Sequence, residues 1–461
     1  MPESAPSSTK SLPARALPWI TWALTFHILV IALLFGVARL PTNVVRGIAA
    51  WKEIVGVLLF VAVVVRMATG RGCHLTIAAA DLFAGGWVAM TLILFVTQNV
   101  VLRDDVPLTA SLFGLRDAAF FVIFYFVGRT TPEIADNSAF AKRAFAVLLV
   151  TCTVAIAEQL FVTPQMLVLM GVASYVQDFL GGAVFTQGNI YGLPDNYWSL
   201  MGGHLVRRSG SVFLSSQGFA LIFVIFLPAA TLWALDSKRT QKFYLYLASA
   251  IIWAGLAVTF TRAAIAIGVA QVLTILAVRR RFTGVALLAT AFVVLFLVAL
   301  AVVPGLATFA LETVTWQTGS SQSHVKDWTA GITAFFQQPW GYGLGTTDQS
   351  AVRGGLEPIT SDNLYLKYAV ELGLPGLIAL VGTLGCFITS GYRLFRSGTN
   401  EHQRAFGMIV TLATLGIALY GVTSVMFGDP LVSYLLFWIG GASVTVAQRT
   451  RTLSMSHLAY A

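Results

Sequence analysis

The chain has 461 residues, of which 57% are hydrophobic and only 11% are charged. Water-soluble domains carry about 25% charged residues, so this composition excludes a soluble protein and indicates an integral membrane protein. The formal net charge of +9 would suit a nucleic-acid partner, but the distribution of the basic residues along the chain, given below, argues against one.

Twelve apolar stretches are candidate membrane spans, because roughly 20 apolar residues cross the hydrocarbon layer. Lipid-exposed backbone must satisfy its own hydrogen bonds, and the stretches are too long for barrel strands. The expected fold class is therefore an all-α integral membrane protein with about 12 transmembrane helices. The candidates are residues 17–40, 47–66, 75–97, 111–128, 143–163, 212–235, 243–260, 263–278, 283–303, 364–390, 405–427 and 430–447. The first is too long for a signal-peptide core and lacks a cleavage pattern, so we expect it to remain.

The basic residues predict the orientation. Most of the 29 Lys and Arg residues fall in short segments on one side if the N-terminus is cytoplasmic, which is the positive-inside pattern. Both termini are then cytoplasmic, and two long loops face the periplasm. The predicted divisions are a disordered tail (1–16), five spans (17–163), the first loop (164–211), four spans (212–303), the second loop (304–363), three spans (364–447) and a cytoplasmic tail (448–461).

Several classes of cofactor and mechanism find no support in the sequence. There is no Gly-rich phosphate loop and no soluble nucleotide-binding domain, which disfavours ATP-driven transport. No internal repeat is visible, which weakens a secondary-transporter interpretation. No His/Cys/Asp/Glu set has metal-ligand spacing, and Cys73, Cys152 and Cys386 share no short spacing. We therefore expect neither a metal nor another cofactor.

The first long loop and a nearby turn carry the candidate cations. Arg207 and Arg208 precede the sixth span, and Arg262 lies at a tight turn between two spans. Arginine side chains here either extend to lipid headgroups or hold a phosphate or diphosphate with the guanidinium fork. Glu158, near the outer end of the fifth span, needs a partner, for which one of these arginines is a candidate.

The second long loop, with the start of the tenth span, carries the candidate acid–base and sugar-binding groups. His324 and Asp362 are candidate general bases; the alternatives are a solvated His and an N-cap Asp. Asn363, Lys367 and Glu371 have the spacing of one helix face. The glycine-rich PWGYGLG run is either a close approach to a ligand or a rigid structural turn. Candidate substrate contacts are Glu158, Trp328, Tyr342, Asn363, Tyr365 and Lys367.

These segments resemble the bacterial O-antigen ligase and polysaccharide polymerase superfamily. The resemblance is carried by SHVKDWTAGITAFFQQPWGYGLG followed by SDNLYLKYAVELGLPG, with TRAAIAIG and RRSGSVFLSSQG as further matching stretches, and covers roughly residues 200–390. It implies an inner-membrane glycosyltransferase of the GT-C-like kind, acting on the periplasmic side without metal or nucleotide sugar. The implied donor is an undecaprenyl-diphosphate-linked glycan, with arginines holding the diphosphate and inversion at the anomeric carbon.

The sequence departs from the ligase pattern at two positions. Ligases usually carry an Arg near the start of the Trp-containing helix, where this chain has His324. Ligases of this superfamily carry a His directly before the Asn of the Asn-x-Tyr-Leu motif, where this chain has Asp362. This difference favours the polymerase branch, in which lipid-linked repeat units are joined into exopolysaccharide, O-antigen or capsule. In this interpretation Arg207, Arg208 and Arg262 bind diphosphate, and Asp362 or His324 activates or orients the acceptor. A ligase remains the alternative, and a lipid-linked glycan transporter is the alternative from another class. The expected partners are the lipid-linked glycan, membrane lipid, and a flippase or chain-length regulator.

Overall fold

The computed structural model describes residues 11–69, 76–102, 106–181, 192–201, 204–302, 305–317, 319–360 and 362–459. These residues are mostly helical, and they include one two-stranded hairpin. The predicted all-α membrane architecture is confirmed. The predicted polar tail at residues 1–10 lies outside the described residues.

The first half of the described chain runs from the N-terminal helix to the hairpin. Its elements are α1 (Leu12–Ala32), α2 (Thr42–Ala49), α3 (Trp51–Ala68), α4 (Ala79–Val96), α5 (Leu108–Arg129), α6 (Ala139–Phe161), α7 (Pro164–Leu169), α8 (Val172–Ser174), β1 (Trp198–Met201) and β2 (His204–Arg207). The strands pair antiparallel, with Trp198 opposite Arg207.

The second half contains the remaining helices. These are α9 (Ser216–Asp236), α10 (Lys242–Ala257), α11 (Arg262–Val278), α12 (Phe282–Val302), α13 (Leu306–Val314), α14 (Gly319–Gln337), α15 (Asp348–Arg353), α16 (Leu364–Ser397), α17 (Glu401–Tyr420) and α18 (Pro430–Ala459). Within the described ranges, ten helical segments are long and apolar enough to span a membrane, and α10 and α11 are two shorter apolar helices. Together they correspond to the twelve predicted stretches.

Several boundaries differ from the prediction. α1 begins at Leu12, so the end of the predicted tail is helical, and α18 continues to Ala459, beyond the predicted end at 447. α17 ends at Tyr420 rather than at 427. The residue after Tyr420 bonds to α16, because the Gly421 carbonyl accepts from the Leu364 N–H at 2.8 Å, and Asp429 then caps α18 by accepting from the Leu431 N–H at 3.0 Å. Hydropathy marks apolar length, whereas caps determine where a helix begins.

Close helix packing forms the centre of the bundle. A Cβ atom added to Gly128 in α5 would lie 2.1 Å from the Trp438 carbonyl oxygen in α18, and one added to Gly441 would lie 2.1 Å from that of Tyr125. Small residues therefore let these two backbones touch, which is how helices associate in membranes without a hydrophobic driving force. Trp438 itself is fully buried.

The two long connections are folded and meet at one end of the bundle, here called the loop end. The first contains α7, α8 and the hairpin, and the second contains α13, α14 and α15. α13 contacts β1. The α5–α6 connection and the start of α4 lie at the other end, here called the opposite end. The polar residues that the sequence separates by more than a hundred positions are therefore brought to one end of the protein.

Candidate functional site

The segment from residue 207 to residue 211 is held between the end of α6 and the α10–α11 turn. Glu158 accepts hydrogen bonds from the Ser209 hydroxyl at 2.7 Å and from the Ser211 backbone N–H at 2.7 Å. On the other side, the Ser209 backbone N–H donates to the Val258 carbonyl at 3.0 Å. The buried Glu158 side chain thus positions this segment. The hydrogen-bond partners of its carboxylate are serine and backbone groups, whereas Arg207 acts on it through charge and bonds to the Glu158 backbone carbonyl.

Arg207 binds the end of α6. Its guanidinium donates to the carbonyl oxygens of Glu158 and Gln159, both at 2.9 Å, and also to that of Val162. The last carbonyls of a helix have no partner within the helix, so an arginine there stabilises the helix end. This geometry gives Arg207 a structural role, and its diphosphate-binding role stays a prediction.

Arg208 lies one residue further and faces the α10–α11 turn. Its Nε donates to the Thr259 carbonyl at 2.9 Å and its Nη2 donates to the Thr261 hydroxyl at 2.8 Å. Burial lowers the pKa of Arg208 to about 10, with a further lowering by the positive charge of Arg262 and an opposing effect of Tyr420. The guanidinium therefore remains charged at neutral pH, and two like charges lie near each other.

Arg262 extends from the first turn of α11 towards α13. Its Nη1 donates to the Thr313 hydroxyl at 2.6 Å, and its guanidinium lies 5.1 Å from the centre of the Phe309 ring. The side chain is exposed. Arg262 lies within electrostatic range of both Arg208 and His324. It therefore links the cations of the first connection with the acidic and aromatic groups of the second.

The acidic and aromatic groups of the second connection come from one face of α14 and from Asp362, which precedes the capping residue of α16. His324 Nδ1 lies 3.4 Å from the Asp362 carboxylate, and the His324 ring stacks on Trp328 with centroids 6.3 Å apart. Trp316 contacts the other side of this pair, 5.8 Å from Trp328. His324 Nδ1 and Trp328 Nε1 are buried and make no hydrogen bond within the described residues.

Asp362 and Asp327 form a carboxyl pair. The Asp327 side chain can exchange a hydrogen bond with Asp362 when one of the two carboxyl groups carries a proton, which raises the pKa of Asp362. Burial, followed by the negative charges of Asp327 and Asp348, raises the pKa of Asp362 to about 6. Burial also lowers the pKa of His324, against the opposing effect of Asp327. Near neutral pH the cluster thus presents a neutral imidazole and a carboxylate poised to take up a proton.

Asn363, rather than Asp362, caps α16. The Asn363 Oδ1 accepts from the backbone N–H groups of Tyr365 at 2.9 Å and Leu366 at 3.0 Å, and its Nδ2 donates to the Val422 carbonyl at 2.9 Å. The Tyr365 hydroxyl donates to the Ala418 carbonyl at 2.6 Å. Both predicted substrate contacts therefore attach α16 to α17 and to the turn that follows it. Asp362 is left free of capping and faces the His324 cluster.

Lys367 belongs to a second, buried set of charges. Its Nζ lies 3.4 Å from the Asp348 carboxylate, and Glu371, one turn further along α16, accepts from the Thr347 hydroxyl at 2.6 Å. Lys367 and Glu371 are 1% and 0% exposed. The predicted shared face of Lys367 and Glu371 exists, but it turns towards α15 and away from the His324 cluster.

The PWGYGLG run is a tight turn against a kink in α16. The Tyr342 N–H donates to the Val370 carbonyl at 2.7 Å, and that of Gly343 donates to the Glu371 carbonyl at 3.2 Å. A Cβ atom on Gly341, whose φ is +100°, would lie 2.6 Å from the Glu371 carbonyl oxygen. The protein's own backbone thus occupies the space beside this glycine. Of the two interpretations of this run, the geometry favours the structural turn.

Tyr342 belongs to the turn that follows α14, and it packs against a different face of that helix from the one that carries His324. Its hydroxyl donates to the Gln337 side chain at 3.3 Å. A shallow groove of about 630 Å³ runs beside it, lined by Lys326, Thr329, Ala330, Thr333, Ala334, Gln337, Tyr342 and Ile359. Tyr342 and the His324 cluster therefore flank one helix without contacting each other.

The structure adds residues that the sequence did not single out. Asp327 shares a proton-binding position with Asp362, and Thr261 orients Arg208. The three-residue spacing of His324 and Asp327 on a helix would have indicated Asp327; nothing in the sequence pairs Arg208 with Thr261. Within the described ranges, no group of three or more His, Cys, Asp or Glu residues is arranged to hold a metal ion. Metal-independent chemistry stays a prediction.

Comparison with known families finds a match to part of the chain. Residues 247–381 match the family model described as O-antigen ligase. The matched segment begins in α10 and ends in α16, so it includes Arg262, His324 and Asp362, whereas Arg207 and Arg208 precede it. A search of curated proteins finds no match to the chain.

The match indicates the class of protein and does not specify the reaction. The chain is a multi-pass membrane protein, and the part from residue 247 to residue 381 is similar to the O-antigen ligase family. The resemblance that the sequence motifs suggested is thereby confirmed. Members of this superfamily are glycosyltransferase-like ligases and polymerases.

Proposed function

We propose that the protein is a polysaccharide polymerase that joins undecaprenyl-diphosphate-linked oligosaccharide units by inverting glycosyl transfer. The observation that carries the proposal is the position of Asp362. This carboxyl group is free of helix capping, has a pKa raised to about 6, and lies 3.4 Å from His324, which is itself within electrostatic range of Arg262. A base and a set of cations side by side are what transfer from a diphosphate leaving group requires.

Arg208 and Arg262 bind the donor diphosphate. The bond from the anomeric carbon to the phosphate oxygen breaks in the reaction, and negative charge builds up on that oxygen. Guanidinium groups already in place stabilise this charge in the transition state, and the fork of N–H donors matches phosphate geometry. The repulsion between the two arginines is relieved when an anion binds between them.

Asp362 activates the acceptor. Its carboxylate takes the proton of the attacking sugar hydroxyl while the hydroxyl oxygen forms the new bond to the anomeric carbon. The lipid diphosphate leaves from the opposite face of the sugar, which inverts the configuration. A general base is most effective when its pKa lies near the working pH, and the raised pKa of Asp362 meets this condition. Asp327 and His324 position the carboxylate from α14.

The aromatic residues give the site a sugar-binding surface. Trp316, Trp328 and His324 form one continuous set of rings beside Asp362. Sugar rings stack on such faces through their C–H bonds. The groove beside Tyr342, on another face of α14, offers hydroxyl and amide groups for the glycan that extends away from the reacting end.

The proposed location follows from the charge pattern of the sequence. The loop end faces the periplasm, the bundle spans the inner membrane, and both termini are cytoplasmic. The lipid-linked units would then be delivered by a flippase, and a chain-length regulator would act on the product.

A reconstitution experiment tests the proposal. Purified protein is incubated in detergent with a lipid-linked repeat unit and no ion gradient, and the products are sized. A ladder of longer lipid-linked glycans is expected, and Asp362→Asn should abolish it. Transfer of preformed polymer to a separate lipid acceptor, with no ladder, would indicate a ligase. The absence of any new glycosidic bond would contradict an enzyme and favour a transporter.

A further inference from the structure

A second group of cations lies at the loop end, on different helices from the first. The guanidinium groups of Arg116 in α5 and Arg353 in α15 approach the same Phe113 ring, at 5.5 and 5.3 Å from its centre. The two guanidiniums repel each other, and this repulsion adds to the effect of burial in lowering the pKa of Arg353. Two arginines gathered around one ring form a concentrated positive charge.

The two arginines differ in their partners. Arg116 donates twice to the Asp117 carboxylate, at 2.8 and 2.7 Å. Arg353 makes no hydrogen bond or ion pair with any residue in the described ranges, although it is half-buried. A partly buried guanidinium carries five N–H donors, and burying such a charge without an acceptor is costly. Its donors therefore point to an anionic ligand.

Asp117 and Asp348 act on Arg353 electrostatically and raise its pKa against the effect of burial, but neither forms an ion pair with it within the described residues. The remaining Asp117 oxygen accepts from the Ser350 hydroxyl in α15 at 3.2 Å. Asp348, at the start of α15, is paired with the buried Lys367. Among the described residues, Asp117 and Asp348 thus bond to other partners, and Ser350 attaches α15 to α5.

Lipid can reach this position. Leu112 and Leu108 lie one and two turns before Arg116 on α5 and are 49% and 56% exposed. An apolar surface next to a cationic group matches a ligand with a hydrocarbon tail and an anionic head. Tyr175, from the first long connection, lies within electrostatic range of both arginines and adds a polar boundary to the site.

The second group is separate from the proposed donor site. The charged or titratable groups that shift the pKa of Arg208 are Tyr420 and Arg262, whereas those that shift the pKa of Arg353 are Asp117, Arg116, Tyr175 and Asp348. These two sets have no residue in common. A polymerase must hold two lipid-linked substrates at once, one as donor and one as acceptor, and each carries its own diphosphate.

We propose that Arg353 and Arg116 bind the diphosphate of the second, acceptor lipid. The proposal rests on the polymerase function proposed above and extends it. In this arrangement the acceptor's sugar reaches Asp362 from the α15 side of α16, while the donor diphosphate stays with Arg208 and Arg262. A ligase, whose acceptor is not a lipid diphosphate of this kind, has no need of such a second site.

Counting bound lipid tests the proposal independently of activity. Undecaprenyl diphosphate is titrated into the purified protein in detergent, and bound molecules are counted by native mass spectrometry. The wild type should bind two. Arg353→Gln and Arg208→Gln should each weaken one binding event by about tenfold or more, as expected for the loss of charged hydrogen bonds, and the double variant should lose both. Arg353→Gln removes no hydrogen bond within the described residues, so it should fold normally.

Control variants and competitors identify the source of the anion. Arg279→Gln removes an arginine paired with Asp236 at 3.0 Å at the opposite end, and it should still bind two molecules. Displacement of the Arg353-dependent molecule by phosphatidylglycerol would assign the site to ordinary lipid headgroups and overturn the proposal. Displacement by inorganic diphosphate alone at the same concentration would show that the lipid tail contributes nothing, and would also overturn it.

The two proposals fail in different ways. If the wild type elongates glycans but binds one lipid diphosphate, or if Arg353→Gln still binds two, the second site is wrong and the polymerase stands. If two molecules bind in an Arg353-dependent manner but no glycan is elongated, the binding site stands and its role as acceptor site is overturned together with the polymerase function.

Discussion

Two clusters of charge, at the two ends of the bundle, differ in how completely their polar atoms are bonded. At the opposite end, Arg129 is 1% exposed and donates to both oxygens of Asp81 at 2.9 Å, to Thr445, to Gln448 and to the Thr76 carbonyl. At the loop end, His324 Nδ1 and Trp328 Nε1 make no hydrogen bond within the described residues, and Asp362 faces a second carboxyl group.

This difference is the one expected between a structural cluster and a substrate-binding one. A buried polar network in which every member is bonded rigidifies the protein, and Arg129 joins α4, α5 and α18 in this way. A cluster with unbonded polar atoms and two carboxyl groups in contact gives up stability in the free protein. Groups of this kind gain partners when a substrate binds, and perturbed pKa values concentrate at such sites. The predictions below test that contrast.

The largest effect is expected from removing the proposed base. Asp362→Asn should lower the transfer rate by about 10²–10⁴, the range for a general base, and should leave thermal stability nearly unchanged, because Asp362 caps no helix. The rate is measured with a lipid-linked repeat unit in detergent. Asp236→Asn, at the opposite end, is the matched control and should transfer normally. Full activity of Asp362→Asn would remove Asp362 from the mechanism.

The structural cluster should respond in the opposite way. Arg129→Leu leaves the Asp81 carboxylate buried without its cation, which costs about 3–5 kcal/mol of the free energy of unfolding. The change is measured as thermal unfolding in detergent. The exposed pair of Arg279 and Asp236 provides the comparison, since losing a surface ion pair costs about 0–1 kcal/mol. An Arg129→Leu protein as stable as the wild type would refute the distinction between the two ends.

Arg208 is expected to affect the chemical step. Arg208→Ala should lower kcat by about 10²–10³, the usual loss when one group that stabilises developing negative charge is removed. Arg208→Lys should recover only part of this loss, because an ammonium group lacks the guanidinium fork. Arg207→Ala, by contrast, removes three hydrogen bonds to the end of α6 and should lower thermal stability. An increase in KM alone for Arg208→Ala would show that the arginine binds the ground state and the transition state equally.

The smallest effect is a shift along the pH axis. The base acts when deprotonated, so transfer should fall about tenfold per pH unit below a midpoint near the Asp362 pKa of about 6. Asp327→Asn removes a negative charge that raises this pKa, so the midpoint should move to lower pH. The pH dependence of kcat/KM gives the midpoint. Lys326→Gln, on a different face of α14, should leave it in place, and an unchanged midpoint in Asp327→Asn would exclude the carboxyl pair.

Much of the fold could be read from the sequence because a membrane imposes a simple rule. A helix in lipid must bond its own backbone and needs a fixed apolar length, so hydropathy marks each span. The helix ends could not be read in this way. α1 begins at Leu12 and α17 ends at Tyr420, since caps and the packing of the turns set those limits.

The candidate site, like the fold, could be predicted only in part from the sequence. Residue chemistry alone selected Arg208, Arg262, His324 and Asp362, because arginine, histidine and carboxylate groups near the ends of apolar helices have few structural reasons to be there. The sequence could not decide which of Asp362 and Asn363 caps α16, since both side chains can accept from the first N–H groups of a helix. It also grouped Lys367 and Tyr342 with the site, although they face other directions.

The sequence by itself determined the class of this protein, the number of its apolar stretches, and the residue types able to bind a diphosphate and move a proton. Those properties depend on composition, length and side-chain chemistry, which are local. Only the tertiary structure decided that Asn363 takes the cap and leaves Asp362 beside Asp327, that Arg207 binds a helix end while Arg208 faces Arg262, and that Arg353 joins Arg116 around one ring. Each of these depends on contacts between residues far apart in the chain, which only packing brings together.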